Sequence, residues 1–174
     1  MKFTTAFLDR DGTINVKAPE GDYITRPDDV VLLPGAARAV ARLNARDVLA
    51  VLVSNQRGIA RALFTHRDLD LVTDRLMQLL AEEGARLDEV YICAHDEGEC
   101  DCRKPLPGML LRAARENPNI DLGAAVMVGD AESDVAAGIA AGVTTIRLNS
   151  GEETSRADYA ADDLADAVDW ILAQ

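Results

Sequence analysis

The chain has 174 residues, 48% of them hydrophobic, and carries 18 Lys and Arg against 30 Asp and Glu, a net charge of −12. That length and apolar share suit one globular domain with its own core, expected over residues 1–174. The acidic balance, with no basic cluster, leaves no electrostatic footprint for nucleic acid or an anionic membrane.

The longest purely apolar run, Val48 to Val53, falls far short of the roughly 20 residues that cross a bilayer, and Asp9 interrupts any signal-like start. A cytoplasmic monomer is expected. The three cysteines, Cys93, Cys100 and Cys102, are odd in number and crowded together, which argues for thiols in a reducing compartment rather than a disulfide framework.

In chain order, an apolar strand over 3–8 runs into Asp9-Arg10-Asp11-Gly12-Thr13. A helix follows over 35–44, entered at Pro34-Gly35, and a second strand over 48–53 ends in Ser54-Asn55-Gln56. Leu69, Val72, Leu76, Leu79 and Leu80 give residues 65–83 a helical stripe, and a third strand over 89–93 leads to the cysteine-bearing segment. Beyond Arg103 and Lys104, a helix over 107–116 precedes a strand over 124–128 that runs into Gly129-Asp130-Ala131-Glu132-Ser133-Asp134. A helix over 132–141, a strand over 143–148 and a closing helix over 164–172 complete the chain. The βα rhythm predicts a doubly wound, Rossmann-like α/β fold: a parallel sheet of about five strands, helices on both faces, ligands beyond the carboxyl ends of the strands.

Those strand ends carry the polar residues. On an extended segment Asp9 and Asp11 would face the same way and Arg10 elsewhere, while Gly12 lets the chain turn with a bare amide and Thr13 adds a hydroxyl. Taken alone, Asp-x-Asp-Gly is a common surface turn, and an EF-hand is excluded because its glycine comes later and a bidentate Glu closes it. Ser54 and Asp130, also ordinary turn or cap residues singly, fall at the same sheet edge. There Ser54 suits a phosphate oxygen, Asp130 a Mg²⁺ site shared with Asp9, and Asp134 a buttress or helix cap. Lys104 adds a positive charge.

Residues 93–102 read C-x-H-x4-C-x-C. Three thiolates and one imidazole, Cys93, His95, Cys100 and Cys102, would fill all four positions of a tetrahedral Zn²⁺, so the metal would brace the loop rather than catalyse. Reduced cysteines in a plain loop, or a redox pair, are the alternatives. Because the loop runs straight into Arg103-Lys104-Pro105, ordering it aims both cations at the crevice.

These four strand-end segments resemble the haloacid-dehalogenase (HAD) superfamily of phosphotransferases, over residues 3 to about 150. The likeness implies that Asp9 is a nucleophile that becomes an aspartyl-phosphate and Asp11 the acid that protonates the leaving oxygen, then the base for water. It implies Mg²⁺ held by Asp9, the main-chain carbonyl of Asp11, and Asp130, with Ser54 and Lys104 on the phosphoryl group. The cysteine segment with Arg103-Lys104-Pro105 is similar to the capless, zinc-loop branch, which includes histidinol-phosphatases and heptose-bisphosphate 7-phosphatases. The stretch Ser54-Asn55-Gln56-Arg57-Gly58-Ile59-Ala60-Arg61 resembles the heptose enzymes more closely. By that likeness Thr13, Asn55, Arg57, Arg61 and Arg103 contact a small phosphorylated sugar or polyol. Two departures stand out: residues 17–23 are about two longer than in the heptose enzymes, and Ala131 replaces a basic residue common beside the metal-binding Asp. The rival classes are a non-catalytic phospholigand-binding protein and a nucleic-acid 3′-phosphatase, the latter at odds with the charge.

Overall fold

The computed structural model describes residues 2–149, 151 and 154–174. Its sheet consists of β1 (Thr5–Leu8), β2 (Leu49–Asn55), β3 (Glu89–Cys93), β4 (Ala125–Gly129), β5 (Thr144–Leu148) and β6 (Tyr159–Ala161), all parallel, in the order β3-β2-β1-β4-β5-β6. The helices are α1 (Ala36–Asn44), α2 (His66–Glu82), α3 (Gly108–Glu116), α4 (Glu132–Ala141) and α5 (Leu164–Ala173).

Period-two alternation divides the core. Ala6, Leu8, Ala50, Leu52, Val126, Val128, Ile146 and Leu148 face one side, where Val40, Leu76 and Val168 bring α1, α2 and α5 against them. Phe7, Val51, Val53 and Met127 face the other, under Met109, Leu110 and Ala113 of α3, with α4 packed on β4 and β5. Both faces being covered explains why the inner strands read as continuous apolar runs.

One expectation is corrected: the described residues form six strands, not about five. β6 is three residues, Tyr159-Ala160-Ala161, with no apolar run of its own. It is held by parallel pairing to β5, and the carboxylate of Asp158, just before it, accepts from the amide and hydroxyl of Thr145 at 2.8 and 2.9 Å. A strand made by its neighbour leaves no periodic signal.

From β1 the chain winds to β2 and β3 on one side, then returns to lay β4, β5 and β6 on the other. The winding reverses between β1 and β4, so the chains leaving their carboxyl ends diverge and frame a crevice. Asp9 follows β1 and Asp130 follows β4, and the Asp9 amide donates to Val128 O at 3.0 Å, tying the two exits together.

Candidate active site

At that crevice, carboxylate oxygens of Asp9, Asp130 and Asp134 all lie within 4.8 Å of one another. Lys104, only 3% exposed, meets them from the loop before α3. Its Nζ lies 2.6 Å from Asp9 Oδ1, 2.7 Å from Asp134 Oδ1 and 2.8 Å from Val53 O, so all three ammonium protons are committed. Burial pushes the Asp9 carboxyl up to about 7 against the pull of Lys104, with Asp134 and Asp11 adding to the rise. Lys104, despite its own burial, is held above the usual lysine value by Asp9 and Asp134. Asp134 also accepts from the Ala131 amide at 3.0 Å, closing the first turn of α4 as a helix cap.

Asp11 is placed differently from the extended reading. β1 ends at Leu8 and the chain bends at Arg10, so Asp9 and Asp11 are not consecutive same-face residues of one strand, and Asp11 lies outside the acidic trio. Arg10 does not point away. It is 1% exposed, and its Nε and Nη2 clamp the Asp11 carboxylate at 2.9–3.2 Å. Asn15 Nδ2 and Gln56 Nε2 add bonds to Asp11 at 3.0 and 2.9 Å. Gln56 Nε2 also donates to Ser54 Oγ at 2.9 Å, which leaves the Ser54 proton available to another acceptor.

The residues expected to touch substrate divide into groups. Arg103 borders a cavity of about 420 Å³ with Asn55, Lys104 and Ser133, and its buried Nη1 has no protein partner. Asn55 reaches that cavity and a second of about 530 Å³ lined by Asp11, Lys17 and Tyr23. The Asn55 amide is nevertheless engaged with the backbone of Lys104, donating to its carbonyl at 2.9 Å and accepting from its N–H at 3.0 Å. Arg57 pairs with Glu97 at 2.5 Å and Arg61 with Asp96 at 3.3 Å, so both strap the tip of the cysteine loop to the β2 exit. Thr13 is fully buried, its hydroxyl without a partner among the described residues.

The cysteine loop closes on itself. Cys93 Sγ lies 3.6 Å from Cys100 Sγ and 3.7 Å from His95 Nδ1, while Cys102 Sγ lies 3.2 Å from Cys100 Sγ and 3.4 Å from His95 Nδ1. Zn–S bonds of about 2.3 Å require tetrahedral edges of roughly 3.8 Å, so the donor set fits Zn²⁺ with Nδ1 as the histidine ligand. Burial pushes the Cys93 and Cys102 thiols up, the adjoining sulfurs adding to the rise at Cys102. A divalent cation is what lets several sulfurs so close together ionise. Gly108 seats the loop on α3: a Cβ there would come within 2.3 Å of Asp101 O, whose oxygen accepts from the Gly108 amide at 3.0 Å.

Sequence reasoning assigned no role to Arg10, Asn15 or Gln56, and to Lys17 none beyond its place in the 17–23 segment, which by resemblance touches substrate. Arg10 and Gln56 adjoin the motif residues, but nothing in a linear pattern says that their side chains turn back onto Asp11. Lys17 Nζ bonds Asp130 Oδ2 at 2.8 Å across a separation of 113 residues.

Residues 101–171 match the HAD-hydrolase-like family. The chain is 39% identical, over 95% of its length and 88% of the relative, to the D-glycero-beta-D-manno-heptose-1,7-bisphosphate 7-phosphatase of Yersinia pestis. It is 41% identical to the Vibrio cholerae enzyme of that name, over 84% of this chain and 81% of the relative. The chain belongs to this family of HAD-like hydrolases. A solved member, the D,D-heptose 1,7-bisphosphate phosphatase of Bordetella bronchiseptica complexed with magnesium and phosphate, superposes with a TM-score of 0.89 at 32% identity, covering 98% of this chain and 99% of that one. The HAD-like site here has the donors a hard divalent cation takes, all oxygen, on Asp9 and Asp130. Gly12, at φ 86°, lets the turn close over them, since a Cβ there would stand 2.3 Å from Asp130 Oδ2.

Proposed function

We propose that the protein is a Mg²⁺-dependent phosphomonoester hydrolase that removes the 7-phosphate of D-glycero-D-manno-heptose 1,7-bisphosphate through an aspartyl-phosphate on Asp9. The observation that carries the chemistry is the buried Lys104 bridging Asp9 and Asp134 within the carboxylate trio at the topological switch point. The heptose substrate is inferred from the relatives named above.

The obstacle in this reaction is repulsion between an anionic carboxylate and an anionic phosphate. Asp9, the carbonyl of Asp11 and Asp130 would hold Mg²⁺, which supplies charge neutralisation between nucleophile and phosphoryl oxygens. Lys104 keeps Asp9 Oδ1, leaving Oδ2, which has no hydrogen bond among the described residues, to form the bond to phosphorus. Asp11, which lines the 530 Å³ cavity, gives a proton to the departing sugar oxygen as the P–O bond breaks. It then takes a proton from the water that hydrolyses phospho-Asp9, returning both carboxylates to their starting states. Ser54 donates its free proton to a phosphoryl oxygen, and Arg103 with Asn55 meets the rest of the sugar.

Zn²⁺ on Cys93, His95, Cys100 and Cys102 is proposed as structural. The thiols suit a cytoplasmic setting, and none of the helices in the described residues is long and apolar enough to cross a membrane. Asp9→Asn tests the reading: phosphate release should vanish, as it should for the wild type in EDTA. Undiminished release would overturn the assignment of the nucleophile. Comparing kcat/KM for heptose bisphosphate, histidinol phosphate and fructose bisphosphate tests the substrate, and the first should lead.

A further inference from the structure

Lys17 is a charged residue of the site that the reaction above does not use. Its side chain is 66% exposed, and its ammonium is 2.8 Å from Asp130 Oδ2. Two observations give this contact a purpose beyond a surface ion pair. The chain following Asp130 reads Ala131-Glu132-Ser133-Asp134, so α4 brings no cation to the metal-binding carboxylate from its own first turn. Lys17 is also the one basic residue lining the cavity it shares with Asp11, Tyr23 and Asn55, where Glu20 and Asp22 are exposed and screened by water.

An ammonium and Mg²⁺ compete for the same charge. Once a divalent ion is bound by Asp9 and Asp130, its charge cancels that of the two carboxylates and the pull on Lys17 falls away, while the guanidinium of Arg147, salt-bridged to Glu132 at 3.0 Å, repels it. The four-carbon stem of Lys17 is free to turn toward the adjoining cavity, because its head carries no second bond among the described residues.

We propose that Lys17 is an exchangeable cation that neutralises Asp130 in the metal-free enzyme, yields it to Mg²⁺, and then binds the substrate phosphate that is not cleaved. Lys17 is thus a specificity-determining residue for doubly phosphorylated sugars, a role that rests on the phosphatase reading above. The test uses the zinc-loaded full chain and the variants Lys17→Gln and Lys17→Arg, none of which alters the catalytic machinery. Titration calorimetry with Mg²⁺ alone should show Lys17→Gln binding the ion about two- to fivefold more tightly, the range of a partly exposed ion pair. At saturating Mg²⁺, its KM for a sugar bisphosphate should rise about tenfold, the worth of one charged hydrogen bond. kcat should stay within about twofold, and KM for p-nitrophenyl phosphate, which has no second anion, should not move. Lys17→Arg should retain wild-type values in both measurements. Unchanged Mg²⁺ affinity in Lys17→Gln, or a KM that rises equally for both substrates, overturns the proposal. A wild type that turns over neither phosphate overturns the phosphatase reading instead, and the calorimetry distinguishes the two failures.

Discussion

Lys104 stands between two carboxylates with almost no water to share the work, so the three groups are stable only together. Lys104→Met keeps the volume but leaves Asp9 and Asp134 facing each other unpaired. Breaking a buried pair in this way costs about 3–5 kcal/mol, and urea denaturation of the metal-free variant should show a loss of that size, partly restored by Mg²⁺. Phosphate release should fall at least about 10²-fold, as for the loss of one preorganised charge-stabilising donor. Gly12→Ala separates binding from folding: its Cβ collides with Asp130 and its φ of 86° strains any other residue, so Mg²⁺ affinity should drop by more than stability does. Asp9 carries a proton below about 7 in the metal-free protein. Mg²⁺ must displace that proton, so affinity should rise with pH through that value and level off above it. Calorimetry in buffers of different ionisation enthalpy should count about one proton released per ion near pH 6. The same raised value means that ionising Asp9 works against folding: without metal, its contribution to stability is fully present below pH 4 and is lost as pH rises through about 7.

Between residue and molecule, the element that matters most is the cysteine loop. Cys102 is two residues from Lys104, and the strap of Arg57 and Arg61 onto Glu97 and Asp96 joins the loop to the exit of β2. The loop is further stitched to β2 by the paired bonds of Asn55 to the Lys104 backbone. Cys100→Ser should lose the one zinc expected per chain by elemental analysis. It should also lower kcat, since the disordered loop no longer aims Lys104, although no zinc ligand touches substrate. A variant that keeps its metal content, or loses metal with unchanged melting temperature, would refute a structural zinc. Asn55→Ala should reduce kcat more than it raises KM, because its amide holds the lysine backbone.

At the scale of the whole chain, we propose a single cooperative unit over residues 1–174. One cluster of buried side chains runs from Phe3 through β1, β2, β4 and β5 to Ile171 of α5, so the two ends of the chain share a core. Trp170, the sole tryptophan, stacks on Tyr159 with ring centroids 4.8 Å apart and lies 5.8 Å from Phe3. Its fluorescence therefore reports on contacts between chain ends. Denaturation followed by that signal and by far-ultraviolet circular dichroism should give coincident transitions, whereas separated midpoints would mean two independently unfolding parts.

How much of this was legible beforehand depends on the range of the interaction concerned. The five longer strands and five helices follow from local periodicity. The four strand-end segments and the spacing of the thiols identify the site because the residue types alone carry its chemistry. β6 was not legible, since Tyr159-Ala160-Ala161 becomes a strand only beside β5. Nor was the bend at Arg10, which turns a neighbour expected to point away into the clamp on Asp11. Arg57, Arg61 and Asn55 read as substrate contacts from their position, and what no linear pattern showed is that the folded chain also pairs them with Glu97, Asp96 and the Lys104 backbone. The order of residues thus determines which donors, nucleophile and cations the protein possesses, because those are properties of side chains. Which of them meet is decided by tertiary structure, because Lys17 and Asp130, 113 residues apart, become neighbours only when β1 and β4 pair side by side in the sheet.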